Sequence, residues 1–585
     1  MKTKFLCLSL VVMMMLTILT GCTSSTGSLD EIAEEAARGT QTLVVYLMSE
    51  IEISEQTASD VEDEINRLTK AKYKTQLDLR FFTEEQYYSE LEKKFKDKET
   101  EIKKAEKELN EKRKIEKALR ESCKAAGISY VPATTEAPDT AITEAATLVN
   151  PEYGTIEYVY PEAEENQLDF FYLGGYDRYM DYIDNEWIAP LDEELATSSK
   201  TLKQHIPSVF MDNLNTGGVY GIPNSSAIGE YTWMLLDKEL MDKYFFTESS
   251  ITSIYDENLS RFLGDVSKFE EDVLPIKGDV SPVNIYYWSI NSENNRLTNE
   301  FSILASSYTN LSDVGYQLEV HSLFHDARFR SQALAIKGFE EKGFFGTEEQ
   351  QNDESVRFAM SVVEGGYEVY AENCEDYYIK MLACPRADKY DIFESMLCVN
   401  ALEDNVSRSM EIITYINTNE DLRNILQYGV EGENYYIDDD GVLHRYNETY
   451  MMDINKTGNV FMAHPEEDLP ENYWDYGIQQ NEDAKLIPTF GFELDYDTLV
   501  SAEEMNALQA LSEEYMARME ACTTVAELET FFGNAIRELA ANEDYVFVKN
   551  DAFEQTKADD IIPIHTLYVE WLKSEGYIKD EIIEY

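Results

Sequence analysis

Cysteine is sparse in this chain, and what there is does not form a pattern. Seven are scattered over 585 residues. Cys7 falls in a leader and Cys22 at its end, which leaves Cys123, Cys374, Cys384, Cys398 and Cys522 in the body. An odd set without regular spacing is not a disulfide framework, so mostly free thiols are expected. Positive charge is also short: 49 Lys and Arg stand against 113 Asp and Glu, a net charge of −64. Such a field repels nucleic acid and anionic head groups, and both are excluded as partners of the body. Catalytic signatures are missing too. No HExxH, GxSxG or phosphate-cradling glycine loop occurs. His321 and His325 stand four apart, as a helical metal grip would require, but no third ligand accompanies them, so no metal and no cofactor are assigned.

A second long apolar run is absent as well; the one present is N-terminal. Lys2 and Lys4 precede an uncharged stretch from Phe5 to about Leu19. It is too short for a comfortable membrane span and reads as a secretory signal. The run ends in Leu19-Thr20-Gly21-Cys22, which matches a lipobox. The expectation is a signal peptide over 1–21 and a diacylglyceryl group on Cys22. A lipidated tether then covers 22–39 and holds the body on the outer face of the cell membrane.

The body is longer than one ordinary domain, so two lobes are expected. Leu43–Met48 reads as a buried strand, Val61, Ile65 and Leu68 fall at helical spacing, and Leu77–Phe81 alternates as a second strand. That βαβ pattern predicts an α/β fold with a parallel sheet. A third strand, Leu168–Leu173, runs through Gly174-Gly175 into a helix bearing Tyr179 and Ile183. Ligands of open α/β sheets bind beyond the carboxyl ends of strands, which singles out Glu50, Tyr176 and Asp177.

Residues 93–120 interrupt this pattern with twelve Lys and Arg against seven Asp and Glu. Leu91, Phe95, Ile102, Ala105 and Leu109 form a weak heptad stripe broken by Lys98 and Lys112. A Thr/Ala/Pro-rich stretch, 131–146, follows. Residues 85–165 are therefore expected to be a charged helical insertion, either a protruding hairpin arm with a flexible return or a solvated helix with no partner. Further on, Gly217–Pro223 predicts a tight hairpin entering a rigid extended segment, and Tyr231–Leu236 a strand crossing between lobes. Asp438-Asp439-Asp440-Gly441 fits a β-hairpin turn better than a calcium loop, because Tyr436 falls where the first acidic ligand belongs. Ser501 and Glu504 form a capping box ahead of an apolar helical face, Met505, Leu508, Leu511, Tyr515 and Met519.

Residues 169–195 (DFFYLGGYDRYMDYIDNEWIAPLDEEL) followed by GGVYGIPN at 217–224 resemble the family 1 extracellular solute-binding proteins of ABC importers, in their Gram-positive lipoprotein form. The order continues with 407–437, TGNVF at 457–461 and PTFGFELD at 488–495. The resemblance covers 40–82, 167–245 and 390–573; 246–370 agrees by position alone and 85–165 departs from the family pattern.

The resemblance implies a two-lobed, type II periplasmic-binding-protein-like fold. Lobe 1 would comprise 40–226 and 390–455, carrying the insertion, and lobe 2 would comprise 227–389 and 456–585. It implies no catalysis, a monomer, an oligosaccharide or similar polar solute as ligand, and an ABC transporter permease as partner. Sugars stack on aromatic rings and hydrogen-bond to acids and amides, so Glu50, Tyr176, Asp177, Asn224, Trp233, Trp288 and Trp474 are the candidate ligand-binding residues. A surface glycan-processing enzyme, or an adhesin using the insertion, is the alternative.

Overall fold

The computed structural model describes residues 39–125, 148–149, 156–283, 285–287, 289–291, 296–298, 306–308, 322–439, 441–466, 469, 473–487, 490–492, 501–542, 545 and 564–574. Cys22, His321, Trp288 and most of the tether lie outside these. The chain divides into two compact units, Met1–Leu47 with Ser54–Phe81 and Glu85–Asp169, and Met48–Ile53 with Phe82–Glu84 and Phe170–Tyr585.

The first unit opens with strand β1 (Gln41–Ser49), buried from Thr42 onward. Helix α1 (Glu55–Tyr73) follows, capped by Ser54, whose hydroxyl accepts from Thr57 N. Val61 and Ile65 bury its apolar face. The buried Asn66 side chain donates to Leu77 O (2.9 Å) and accepts from Leu77 N (2.6 Å), which fixes strand β2 (Thr75–Thr83) against the helix.

Helix α2 (Glu84–Ala125) is one continuous rod of 42 residues. Tyr87, Leu91 and Phe95 at its base are fully buried, and Tyr87 Oη donates to Tyr46 O (3.1 Å). Beyond them the stripe is open among the described residues: Leu109 is 48% exposed and Ile115 61%. The expected insertion therefore splits, its first three turns belonging to the core and the rest being a solvated helix. Its outgoing leg is a single rod; the return over 126–147 lies outside the described residues. Further along, Thr40 and Thr42 hydroxyls donate to Val159 O and Pro161 O (2.6 Å each), so the end of the expected insertion is also tied to β1.

In the second unit, strand β3 (Phe170–Leu173) passes through Gly175 (φ 91) into helix α3 (Tyr176–Asp184). Strand β4 (Gly221–Pro223) does not pair in a local hairpin as expected. The chain bends at 216–218, and β4 instead pairs antiparallel with a distant strand described below, Leu397 facing Ile222.

Strand β5 (Tyr231–Asp237) lies inside a four-stranded sheet. Helix α4 (Glu257–Phe269) and strand β6 (Val273–Lys277) come next, then helix α5 (Ala327–Glu341) and strand β7 (Arg357–Gly365). Helix α6 (Tyr367–Asn373) leads to strand β8 (Tyr377–Ala383). The order is β8-β5-β7-β6; β5 runs antiparallel to β7 and β8, while β7 and β6 are parallel. Met234, Leu236, Phe262, Leu263 and Met360 form its core on the α4 side.

Strand β9 (Met396–Val399) runs antiparallel to both β3 and β4. The purely parallel sheet expected from the βαβ pattern is thus mixed in both places: Leu397 and Cys398 are buried on all sides, and an apolar run of that kind does not reveal strand direction.

Helices α7 (Val406–Ile416) and α8 (Glu420–Tyr428) follow, then the expected Asp-Gly hairpin, strands β10 (Tyr435–Ile437) and β11 (Leu443–Arg445). Its turn is closed by Asp438, which accepts from Val442 N (3.0 Å) and contacts His444 Nε2 (2.8 Å). Helix α9 (Tyr473–Asp483) precedes the pair α10 (Ala502–Glu520) and α11 (Val525–Ala541). The Ser501–Glu504 capping box is present, and Leu508 and Tyr515 pack with Phe531, Phe532 and Phe324. Cys374, Cys384, Cys398 and Cys522 are free thiols, and the side chain of Cys123 lies outside the described residues. His325 ends a single 3₁₀ turn and its Nδ1 meets Ser322 Oγ (3.0 Å). Among the described residues no group of three or more His, Cys, Asp or Glu is placed to hold a metal, and no helix is long and apolar enough to cross a membrane.

Candidate functional site

A cavity of about 1090 Å³ opens in the second unit, above the size of ordinary small-molecule sites. Three segment ends build one wall. Glu50, just past β1, is pinned by its backbone N donating to Met451 O (3.1 Å). Asn224, just past β4, donates from its backbone to Ser395 O (2.9 Å) and from Nδ2 to Ser395 Oγ (3.1 Å). Asp391, Glu394 and Ser395 arrive immediately before β9, and Ser395 Oγ donates to Asn455 O (2.5 Å).

The floor is the segment 451–461, irregular apart from two 3₁₀ turns at Ile454–Lys456 and Val460–Met462. A buried polar network holds it. Arg423 on α8 is 0% exposed; it donates from Nε to Asn459 O (3.1 Å), from Nη2 to Ile454 O (2.9 Å) and from Nη1 to Gln427 Oε1 (3.4 Å). Gln427 Nε2 donates to Met452 O (2.6 Å), and the Thr457 hydroxyl donates to Gln427 Oε1. Burial lowers the Arg423 guanidinium to about 10, which leaves it charged at neutral pH. Carbonyl dipoles and an amide thus do the work of a counter-ion.

Helix α9 supplies the opposite wall through Tyr473, Trp474, Gly477 and Gln480. It is clamped to the segment that leaves β4: Asn481 Oδ1 accepts from Ile228 N (2.9 Å), Asn481 Nδ2 donates to Ser226 O (2.8 Å), and Gln480 Nε2 donates to Gly229 O. Gly477 is required by this approach, because a Cβ there would meet Phe461 Cε1 at 2.8 Å. Trp474 stands edge-on to Tyr473 (5.0 Å between centroids) and Phe461 (6.4 Å). Two buried polar atoms of the lining have no hydrogen-bond partner among the described residues, Asn224 Oδ1 and Trp474 Nε1. An acceptor and a donor left dry are costly unless something else meets them.

The lining is acidic. Glu50, Glu230, Glu368, Asp391, Glu394, Asp453 and Glu466 face only two bases, Lys456 and Arg445. Lys456 is held by Asp453 (3.2 Å) and Arg445 by Glu466 (3.1 Å). Burial, with Asp388 and Glu394 close by, pushes the Asp391 carboxyl up to about 7.

The sequence candidates are distributed as follows. Glu50, Asn224 and Trp474 share the large cavity. Tyr176 and Asp177 line a smaller one of about 410 Å³, which has Asp391 and Glu394 in common with the first. There Tyr176 packs edge-on to Tyr390 (5.8 Å), and Lys389 Nζ sits 4.3 Å from the Tyr176 ring centroid. Trp233 is not in the wall: it is 4% exposed, stacks on Tyr231 (4.4 Å), and its Nε1 donates to Gly366 O (3.2 Å) behind the lining. β5 lies within its sheet, and alternation along a strand does not tell a core tryptophan from a cleft one. Trp288 is outside the described residues. Sequence reasoning missed Asp391, Glu394, Arg445 and all of 451–456. Arg445 ends strand β11, Asp391 lies on a single helical turn, and the rest sit on irregular segments without periodicity, where the one usable signal was the Asx-type spacing of Asp453 and Asn455.

No protein-family model matches the chain, and no curated protein does. Among solved structures it is similar to the N-glycan transport solute binding protein of Streptococcus pneumoniae, at 15% identity over 92% of this chain and 100% of that one, with a TM-score of 0.49. It is similar to an extracellular solute-binding protein from Bifidobacterium longum subsp. infantis, at 11% identity over 92% and 99%, TM-score 0.41. A family 1 extracellular solute-binding protein from Alicyclobacillus acidocaldarius gives 10% identity over 86% and 99%, TM-score 0.39.

Proposed function

We propose that this chain is the extracellular, lipid-anchored solute-binding protein of an ABC importer. It captures a polar solute, an oligosaccharide, between two lobes and hands it unchanged to a permease. The observation that carries the reading is the large cavity lined by the aromatics Trp474, Tyr473 and Phe461 and by Asn224, whose Oδ1, like Trp474 Nε1, is unpartnered among the described residues. Sugar rings offer apolar C–H faces for the aromatics and hydroxyls that both donate and accept. The lobes are 40–226 with 390–455, and 227–389 with 456–585; Asn224 ends the first segment just before the chain crosses into β5. The Cys22 lipid keeps the binding body at the membrane, and the acidic surface adds no electrostatic grip of its own.

The test is calorimetric titration of the mature chain against a panel of neutral, basic and acidic oligosaccharides, with recovery of the bound glycan. One-to-one binding with the glycan returned intact supports the reading. Cleavage of the glycan moves the chain to the glycan-processing alternative, and silence of every glycan removes the sugar. Hinged closure adds a second readout, a smaller radius of gyration in solution scattering when ligand is saturating.

A further inference from the structure

Five cavity carboxylates, Glu50, Glu230, Glu368, Asp391 and Glu394, have no ion pair among the described residues, whereas both bases of the lining are already paired with Asp453 and Glu466. The five come from four separate segments: Glu50 from the end of β1, Glu230 from the chain entering β5, Glu368 from the first turn of α6, and Asp391 and Glu394 from the stretch before β9. They converge on one space rather than clustering along a single exposed helix. Like charges gathered around a concavity raise each other's cost of ionisation; at Asp391 burial is the first cause of the raised carboxyl, and Asp388 and Glu394 add to it. Asn224, in the same lining, is 2% exposed; its Nδ2 is engaged by Ser395, and its buried Oδ1 has no donor among the described residues. The two bases of the lining are thus neutralised and its other carboxylates are not, in a protein whose whole surface already repels anions.

Resting on the reading of this cavity as a glycan site, we infer that its ligand is an amine-bearing oligosaccharide, one with free ammonium groups on the sugar rings, and that uronate- or sulfate-bearing glycans are excluded. An ammonium brings the charge that the five carboxylates lack and a donor for Asn224 Oδ1, while the sugar rings keep their contact with Trp474. A carboxylated ring would place a like charge among acids that are already crowded. Clefts lined by one sign of charge focus their field, so the discrimination is larger than the same charges would give on a convex surface.

The experiment titrates the mature chain with four probes at a pH where sugar amines are charged: tetramers of glucosamine, N-acetylglucosamine and galacturonate, and spermine. The expected order is glucosamine tetramer about tenfold tighter than its N-acetyl form, roughly 1.4 kcal/mol, with no binding of galacturonate. High salt should shrink the difference to less than about threefold. Glu50→Gln/Glu394→Gln should weaken the glucosamine tetramer about tenfold and leave the N-acetyl tetramer nearly unchanged. Glu349→Gln/Glu503→Gln, which removes the same charge from exposed positions away from the cavity, should do neither, and this separates the cavity from the general attraction of cations to an acidic protein. Equal affinity for the amine and N-acetyl tetramers, binding of galacturonate, or no binding of the glucosamine tetramer overturns the inference. Where a neutral glycan still binds, the solute-binding reading survives that failure. Spermine binding more tightly than any tetramer, with the same dependence on Glu50 and Glu394, overturns the sugar half and with it the assignment of an oligosaccharide.

Discussion

The segment 451–461 and helix α2 reverse the usual association of regular structure with firm anchorage. The first is eleven residues of turns, yet its carbonyls at 452, 454 and 459 are taken by Gln427 and Arg423, both buried. The second is a 42-residue helix whose described outer part is held by exposed i,i+4 pairs such as Lys96–Glu92 (3.0 Å) and Lys103–Glu99 (2.9 Å). Each such pair contributes only about 0.3–0.5 kcal/mol. Periodicity describes where backbone hydrogen bonds go, whereas anchorage depends on what would be left unsatisfied if the segment moved. The binding floor is anchored in the second sense.

The comparison breaks most visibly at Arg423. Arg423→Met nearly keeps the volume but removes the guanidinium donors of Asn459 O, Ile454 O and Gln427 Oε1, the last of which keeps only the Thr457 hydroxyl. Unfolding in urea should then require about 3 kcal/mol less, and glycan binding should fall with it. Arg423→Lys returns one charge without the planar fork and should recover part of the loss. A Met variant with an unchanged urea midpoint would mean that 451–461 does not depend on this network.

Trp474 comes next in size. Trp474→Ala should weaken the cavity's glycan between tenfold and a hundredfold, about 1.4–2.7 kcal/mol, and Trp474→Phe should restore stacking but not the Nε1 donor. Trp474 also packs against the Tyr428, Tyr435 and Leu443 cluster, so melting temperature must be recorded beside affinity. A loss of stability without any loss of affinity would reassign the indole to the core.

How far the site could be read from sequence follows the same division. Strands β1, β2 and β5 and the Ser501 cap were legible, because burial and capping leave periodic or fixed-offset marks. Glu50 could be singled out because it lies just past a strand end, and Asn224 through the resemblance and its hydrogen-bonding amide. Arg423 left no mark: in Asp421-Leu422-Arg423-Asn424 it reads as one more polar residue on an amphipathic helix, and only the carbonyls of a remote segment give it a role. Trp233 shows the converse, an aromatic in a chain position that suits a cleft, yet turned into the sheet. The direction of β9 was hidden because a wholly buried strand of four residues carries no alternation.

A smaller effect, and one of opposite sign, is expected at Asp391. Its folded carboxyl is raised to about 7 from an ordinary value of 3.8. A raised acid contributes stability that is fully present below its unfolded value and is lost as pH climbs through the folded one. Stability should therefore decline between about pH 4 and pH 7 through this group. Asp391→Asn keeps an acceptor for Asp388 N (2.7 Å) and removes the charge. It should raise stability at pH 7.5 by about 1–2 kcal/mol, discounted for partial exposure, and by nothing at pH 4. A gain that is the same at both pH values would show that the cost of ionising the buried Asp391 beside Asp388 and Glu394 is not its source.

The smallest effect is expected at Ile115 and, set against Phe95, tests where α2 stops being core. Phe95 is fully buried and Ile115 is 61% exposed, twenty residues further along the same rod. Phe95→Ala removes a buried ring and should cost about 3–5 kcal/mol. Ile115→Ala loses almost no burial and gains helix propensity, so its effect should stay within about 0.5 kcal/mol. A deletion of the outer helix should therefore begin beyond Ile102, because a cut at Phe95 would open the core. Chemical denaturation of the two single variants decides this. A cost above 1 kcal/mol at Ile115 would mean that the outer helix packs on something in solution, and the heptad stripe through Ile102 and Leu109 would then have to be reconsidered as a contact face.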